Sequence, residues 1–247
     1  MISIILAAGQ GTRMRPLSYF IPKILLPVRG KPVLDYLIDN IKSVDVSHHY
    51  IVASEHVEII GNYLEKTGMK NISTIRGLGW ETGGDLSIAL EEIGDSDDAI
   101  VMNGDIITDV DMAQLYRFHT EHNSPVSMAL LELKDEEEAK RFGQVEIDKD
   151  SVITEFSEKS QSGIGKSKLV NVGFYIFSRE FISRRPVYMT PRKFKLEEEL
   201  FPRLAHERKL FGMRMDINYW WDVGTMSSYL KAEHFFINNK GIIPPQV

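Results

Sequence analysis

The sequence predicts an α/β fold, and three features carry that expectation. The apolar run Ile2–Ala8 leads into the glycine turn Gly9-Gln10-Gly11, a helical segment follows at Pro32–Asn40, and a second apolar run, His49–Ala53, comes after it. Strand, helix and strand in succession are the unit from which helix-covered sheets are built. The segment Asp98–Met102 reads as another buried strand ending on Asn103-Gly104-Asp105, which puts a carboxylate just past a strand end, where parallel sheets present their ligands. A chain of 247 residues buries about 73% of its extended surface, so one large domain, or a large one with a minor lobe, is expected.

The remaining elements follow in order. Val57–Lys66 is a mixed apolar-polar stretch, Ile72–Ile75 returns to the sheet, and Arg76-Gly77-Leu78-Gly79 turns the chain away. Glu81-Thr82-Gly83-Gly84-Asp85 reads as a loop entering a helix over Leu86–Glu92. Asp111 is placed to cap Met112–His119, and Val126–Leu133 alternates as a strand. Glu136-Glu137-Glu138 reads as a solvated face, while Phe142–Ile147 and Val152–Phe156 read as an antiparallel pair joined at Asp148-Lys149-Asp150. Gln161–Lys168 has the glycine, serine and lysine content of a loop over a pocket or of an uninvolved surface loop. Leu169–Phe177 is strand-like, Leu196–His206 is a helix that Pro202 kinks or bounds, and Leu210–Ile217 leads to Trp220-Trp221-Asp222. Ser227–Asn238 is the last helical segment, with apolar residues near Tyr229 and Phe235-Phe236 that suit either a subunit contact or the core, so the oligomeric state stays open.

Composition narrows the function classes. A net charge of -6 argues against a nucleic-acid-coating protein, and no segment has the uninterrupted apolar length of a membrane span. The opening apolar run is short and lacks a basic leader, so a cytoplasmic protein without a targeting segment is expected. With no cysteine in the chain, disulfide scaffolds, thiol nucleophiles and thiolate-bound metals are excluded, whereas carboxylate-bound metals are not. The histidines His48, His49, His56, His119 and His122 are read as packing or surface residues, and Trp220 and Trp221 as aromatic core.

The chemistry concentrates in the first loop. Glycine lets Gly9-Gln10-Gly11-Thr12-Arg13 fold so that successive backbone N–H groups approach anionic oxygens. Arg13, Arg15 and Lys23 add positive charge in a stretch without acids. A dinucleotide fingerprint would need a glycine where Met14 stands, and no Gly-x-x-x-x-Gly-Lys-Ser/Thr loop is present. A nucleoside triphosphate site built from the turn with Arg13 and Lys23 fits better.

These residues also form a pattern. Leu6-Ala7-Ala8-Gly9-Gln10-Gly11-Thr12-Arg13-Met14-Arg15-Pro16-Leu17, then Pro22-Lys23-Ile24-Leu25-Leu26-Pro27-Val28, strongly resembles the signature of the sugar-phosphate nucleotidyltransferases, the nucleoside-diphosphate-sugar pyrophosphorylases. Later landmarks recur as Asn103-Gly104-Asp105, Phe142-Gly143, Glu158-Lys159, Asn171-Val172-Gly173 and Trp221-Asp222-Val223-Gly224-Thr225, so the resemblance spans nearly the whole chain. It implies a Rossmann-like mixed central sheet flanked by helices, with a smaller sugar-binding lobe. One catalytic domain would occupy 1–247, with 1–111 mainly holding nucleotide and 112–247 mainly holding sugar. The nucleotide would be bound by Leu6, Ala8, Gly9, Gly11, Thr12, Arg13 and Lys23, by Asp105, and by Thr82-Gly83-Gly84 as a loop beside the base, with Glu81 at its variable approach. Gly143, Glu158, Lys159, Asn171 and Gly173 would hold the sugar phosphate, and Asp105 with Asp222 would bind magnesium. Two positions depart from the pattern: Ser160 follows Glu158-Lys159 where proline is frequent, and Ser18 follows Pro16-Leu17 where threonine is frequent.

The resemblance implies that a nucleoside triphosphate and a sugar 1-phosphate give a nucleotide sugar and pyrophosphate, with Arg13, Lys23, Asp105 and Asp222 as the catalytic set. Mannose 1-phosphate with GTP is the leading pair. Heptose 1-phosphate with GTP, glucose 1-phosphate with dTTP or UTP, an alcohol-phosphate cytidylyltransferase and a non-catalytic nucleotide sensor are the alternatives.

Overall fold

A computed structural model describes residues 1–95, 97–158 and 167–239. In chain order the strands and helices are β1 (Ile2–Leu6), β2 (Pro27–Val28), β3 (Lys31–Pro32), α1 (Val33–Asn40), β4 (His48–Ala53), α2 (Val57–Thr67), β5 (Ile72–Arg76), α3 (Glu81–Ile93), β6 (Ala99–Asn103) and β7 (Ile106–Thr108). Then come α4 (Met112–Glu121), β8 (Val126–Glu132), α5 (Glu136–Ala139), β9 (Gln144–Ile147), β10 (Ile153–Ser157), β11 (Leu169–Phe177), α6 (Arg179–Ser183), α7 (Phe201–His206), β12 (Leu210–Arg214), β13 (Trp220–Asp222) and α8 (Met226–Asn238).

A 9-stranded mixed sheet organises the chain, in the order β10-β9-β11-β6-β1-β4-β5 with β8 and β12 branching from β11. Strands β6, β1, β4 and β5 are parallel, whereas β11 runs antiparallel to β6 and β8. Alternation along β1 explains why both faces are covered: Ile5 enters one apolar cluster with α1, α2, α4 and α8, and Ile4 the other with α3, α6 and α7. Phe174 and Phe177 of β11, fully buried on opposite sides, each contribute about 1.5–3 kcal/mol of apolar burial. Outside this sheet, β7 and β13 form a two-stranded antiparallel ribbon. The β9–β10 hairpin closes the opposite edge of the main sheet from β5, and the whole is a Rossmann-like mixed sheet flanked by helices, with an accessory lobe.

Several helix ends follow the expected local chemistry. Asp111 accepts a hydrogen bond from the Gln114 N–H at the start of α4, and Thr225 with Ser228 forms a capping box on α8. Val57, Ile60 and Leu64 form the buried stripe of α2, which ends at Gly68 in the left-handed conformation. Two expectations are corrected. Leu196–His206 is not one helix, because a turn of π-helix, Leu196–Leu200, precedes α7 and leaves Pro202 in its first turn, where the missing N–H costs little. Residues 81–85 are not a loop, because α3 begins at Glu81 rather than Leu86.

On α8, Phe236 is buried, Phe235 packs against the Trp221 ring, and Tyr229 donates a hydrogen bond to the Pro27 carbonyl. Among the described residues no helix is long and apolar enough to cross a membrane.

His119 of α4 is buried and bonded to the Ser127 hydroxyl at 2.8 Å. Burial pushes its imidazole from 6.5 down to about 4, against a small opposing pull from Asp98. The folded-state value is depressed, so the unfolded chain takes up the proton first and stability is lost as pH falls from 6.5 towards 4. Urea unfolding of the wild type is expected to show about 2 kcal/mol of loss from this group between neutral pH and pH ~4.5. His119→Gln should lack that component; an equal acid sensitivity in both proteins would refute it.

Candidate active site

The front turn sits at the C-terminal end of β1. Gly11 adopts φ 60°, where a side chain is strained, and a Cβ there would also crowd the Ser18 Cβ at 3.0 Å, so the turn favours glycine. The turn closes through the Met14 N–H donating to the Gly11 carbonyl at 2.8 Å, with Thr12–Met14 as one 3-10 turn. A second 3-10 turn, Lys23–Leu25, brings Lys23 back beneath the first.

Asp105 stands beyond β6 on a turn that Gly104 makes possible: a Cβ at Gly104 would lie 2.8 Å from the Leu6 carbonyl oxygen. Its carboxylate pairs with the Lys23 ammonium at 2.6 Å. Asp222 arrives on β13, whose register sets Asp222 opposite Ile106, and the Val223 N–H donates to the Asp105 carbonyl at 2.8 Å. A Cβ on Gly224 would meet Asp222 Oδ1 at 2.6 Å, Arg13 Nη2 at 3.2 Å and Asp105 Oδ2 at 3.3 Å. Those three groups therefore converge on one small cradle that a side chain at 224 would fill.

The two carboxyls titrate in opposite directions. Burial would raise Asp105, but the charge and hydrogen bond of Lys23, with Arg13 behind, hold it below the usual carboxylate range. Burial and then the neighbouring charge of Asp105 push Asp222 up.

Among the described residues no group of three or more His, Cys, Asp or Glu side chains forms a metal cluster. Two hard carboxylates fit magnesium nonetheless, because that ion is commonly held by one or two carboxylates with the remaining positions left to phosphate and water. The Asp105–Asp222 repulsion is what such a cation would relieve.

All of this faces one cavity of about 530 Å³. Leu6, Ala8, Gly9, Gly11, Thr12, Arg13, Lys23, Asp105 and Asp222 line one end. Gly143, Glu158, Asn171 and Gly173 line another. Here β11 bulges between Asn171 and Tyr175. Gly173 takes φ 89° against Asn103, and the Asn171 side chain pins the bulge by accepting from the Gly173 N–H at 2.9 Å and donating to the Tyr175 hydroxyl at 2.8 Å. Gly143 leaves room for Glu158, whose Oε2 would lie 2.9 Å from a Cβ at that position. Lys159 and residues 161–166 of the expected loop lie outside the described residues.

Thr82, Gly83 and Gly84 occupy the first turn of α3 rather than a loop. Thr82 lines the cavity, but its hydroxyl donates to Glu197 at 2.6 Å and accepts from the Leu196 N–H at 3.0 Å. Gly83 and Gly84 are off the cavity wall; both N–H groups donate to the Phe194 carbonyl, and their missing side chains let the chain at 192–194 lie directly against the helix. Lys193, Lys195 and Glu197 also line the cavity, with no motif announcing them. The available signal is the alternation Lys193-Phe194-Lys195-Leu196, whose apolar members are buried. Trp220, expected in the core, lines the cavity too, its indole N–H donating to the Val172 carbonyl at 3.1 Å. The histidines have structural partners: His49 bonds Ser3, and His56 bonds the Ser18 carbonyl.

The chain is similar to several known proteins. A mannose-1-phosphate guanylyltransferase of Mycobacterium tuberculosis is 29% identical over 249 residues, covering 98% of this chain and 66% of that protein. The mannose-1-phosphate guanylyltransferase catalytic subunit beta of Xenopus tropicalis is 30% identical over 246 residues, covering 97% and 65%. The chain thus spans about two thirds of the length of the curated relatives it matches. A Bacillus anthracis crystal structure described as a glucose-1-phosphate thymidylyltransferase in complex with a sucrose superposes with a TM-score of 0.82 at 22% identity, covering 100% of this chain and 98% of that one; at that identity the likeness speaks for the fold. The family model for nucleotidyl transferases matches residues 2–239, and the chain belongs to that family.

Proposed function

We propose that the chain joins a nucleoside triphosphate to a sugar 1-phosphate, releasing pyrophosphate. The observation that carries this reading is the convergence of the Gly11–Arg13 turn, Lys23, Asp105 and Asp222 at one end of a cavity whose other end is walled by Gly143, Glu158 and Asn171. An oxygen of the sugar phosphate attacks the α-phosphorus; the new P–O bond forms as the α–β bridging bond breaks, and pyrophosphate leaves with the electron pair. Arg13 and Lys23 stabilise charge on the attacked and leaving groups, and the Gly9–Thr12 backbone orients the triphosphate. Asp105 and Asp222 would hold magnesium, which supplies charge neutralisation at the phosphates when bound. Residues 1–111 mainly serve the nucleotide and 112–247 the sugar, with Glu158 on its hydroxyls.

The names of the curated relatives support a guanylyl donor and mannose 1-phosphate as the leading acceptor. A matrix of GTP, dTTP, UTP, CTP and ATP against mannose, heptose and glucose 1-phosphates and phosphocholine, read by pyrophosphate release and product mass, tests both levels. A GTP–mannose response is expected, dependent on magnesium. GTP with heptose 1-phosphate, or dTTP or UTP with glucose 1-phosphate, would replace the substrate pair and keep the reaction; phosphocholine with CTP would replace the acceptor class. Nucleotide binding without any pyrophosphate release would favour a sensor.

A further inference from the structure

The cavity has a third corner, formed by Ala8, Gly79, Glu81, Thr82, Asp85 and Lys193. If the cationic end takes the triphosphate and the Glu158 end the acceptor, the base is left with this corner. Two of its polar side chains are already committed. Asp85 is consumed by the N–H groups of Leu78, Gly79 and Trp80, and the Thr82 hydroxyl bridges Glu197 and the Leu196 N–H.

Glu81 and Lys193 remain. Their charged ends stand 4.0 Å apart, beyond hydrogen-bond distance, and both are substantially exposed to the cavity mouth. Glu81 is also held at φ 64°, a conformation that glycine takes freely and glutamate only with strain. Non-glycine residues held in that region cluster at ligand sites, because the surrounding structure must enforce them.

We infer that Glu81 and Lys193 together read a guanine base, which deepens the nucleotidyl-transfer reading and rests on it. Guanine presents two adjacent donors, N1–H and the 2-amino group, followed by the acceptor O6. A carboxylate takes two parallel donors on its two oxygens, and an ammonium beside it supplies the donor for O6. Uracil and thymine place a single N–H between two carbonyls, which a carboxylate repels. A charge pair spread across the gap matches the donor–donor–acceptor order of guanine alone among the common bases.

Inosine triphosphate, which lacks only the 2-amino group, isolates the carboxylate's part. Calorimetric binding of GTP, ITP and UTP to the whole chain in magnesium buffer is expected to favour GTP over ITP by about tenfold or more, the effect of one hydrogen bond to a charged group. Glu81→Gln should shrink the GTP:ITP ratio to within about threefold. Lys193→Met should weaken GTP and ITP alike, since both carry O6, and leave their ratio unchanged. Glu81→Gly should lose the ratio while the melting temperature rises, which separates base reading from a role in the fold. An unchanged ratio in Glu81→Gln, or a wild type that binds ITP as well as GTP, overturns the inference. Sugar nucleotide formation from UTP or dTTP, insensitive to Glu81, would sink it while leaving the transferase reading intact; absence of any nucleotide binding would sink both.

Discussion

Asp105→Asn is expected to lower kcat/KM for pyrophosphate release by about a thousandfold, the scale seen when one preorganised electrostatic group is removed from a transition state. Asparagine keeps the shape of the side chain but removes the charge that pairs with Lys23 at 2.6 Å and that shares the Gly224 cradle with Asp222 and Arg13. Lys23→Met should cost a comparable factor. The double variant should be little worse than the poorer single one, because the two side chains act as a unit. Circular dichroism melts should show the Asp105→Asn protein folded, with about 2 kcal/mol or less of stability lost, since the pair is partly exposed and solvent-screened. Turnover within about tenfold of wild type would reject Asp105 as part of the reaction centre.

Gly84→Ala is expected to destabilise the fold by about 3 kcal/mol, or roughly 6–12 °C in melting temperature for a chain of this size. The added methyl would fall inside contact distance of the Arg192 carbonyl oxygen and lie 2.6 Å from the Trp80 Cβ, so backbone must move. Ordinarily alanine gains about 1 kcal/mol over glycine in a helix, which makes Gly61 a matched control. It lies inside α2, where an added Cβ would have no neighbour within 4 Å, so Gly61→Ala should stabilise. Urea unfolding measures both. If Gly84 instead served the nucleotide directly, Gly84→Ala would raise KM for the nucleotide and leave the melting temperature unmoved.

How much of this is legible in the sequence depends on how local each signal is. The turn Gly9–Arg13, Lys23 and the strand leading to Asp105 are read from contiguous residues, and the parallel strands β1 and β6, with the second half of β4, have the near-continuous apolar runs of strands buried on both faces. Asp222 is reached only through the family pattern. The ribbon that delivers it consists of two three-residue strands with no periodicity of their own, held by pairing distant in sequence. The start of α3 is hidden because Gly83 and Gly84 read as loop residues; they sit in a helix because Phe194, from a remote segment, covers them and accepts their N–H groups. The cavity face of Lys193–Glu197 is hidden for the same reason: alternation shows that two faces exist, but not what either one meets.

Ribbon β7–β13 ties the reacting centre to the far end of the chain. A ribosome-bound chain emerges with its phosphate-facing turn first and Asp105 midway, yet the second carboxylate is supplied only from residue 220 onward, across one of the longest loop closures in the fold. The helix α8, which follows directly, also covers the Ile5 face of the parallel strands, so a polypeptide that stops short of residue 220 lacks both half of the carboxylate pair and part of the core beneath it.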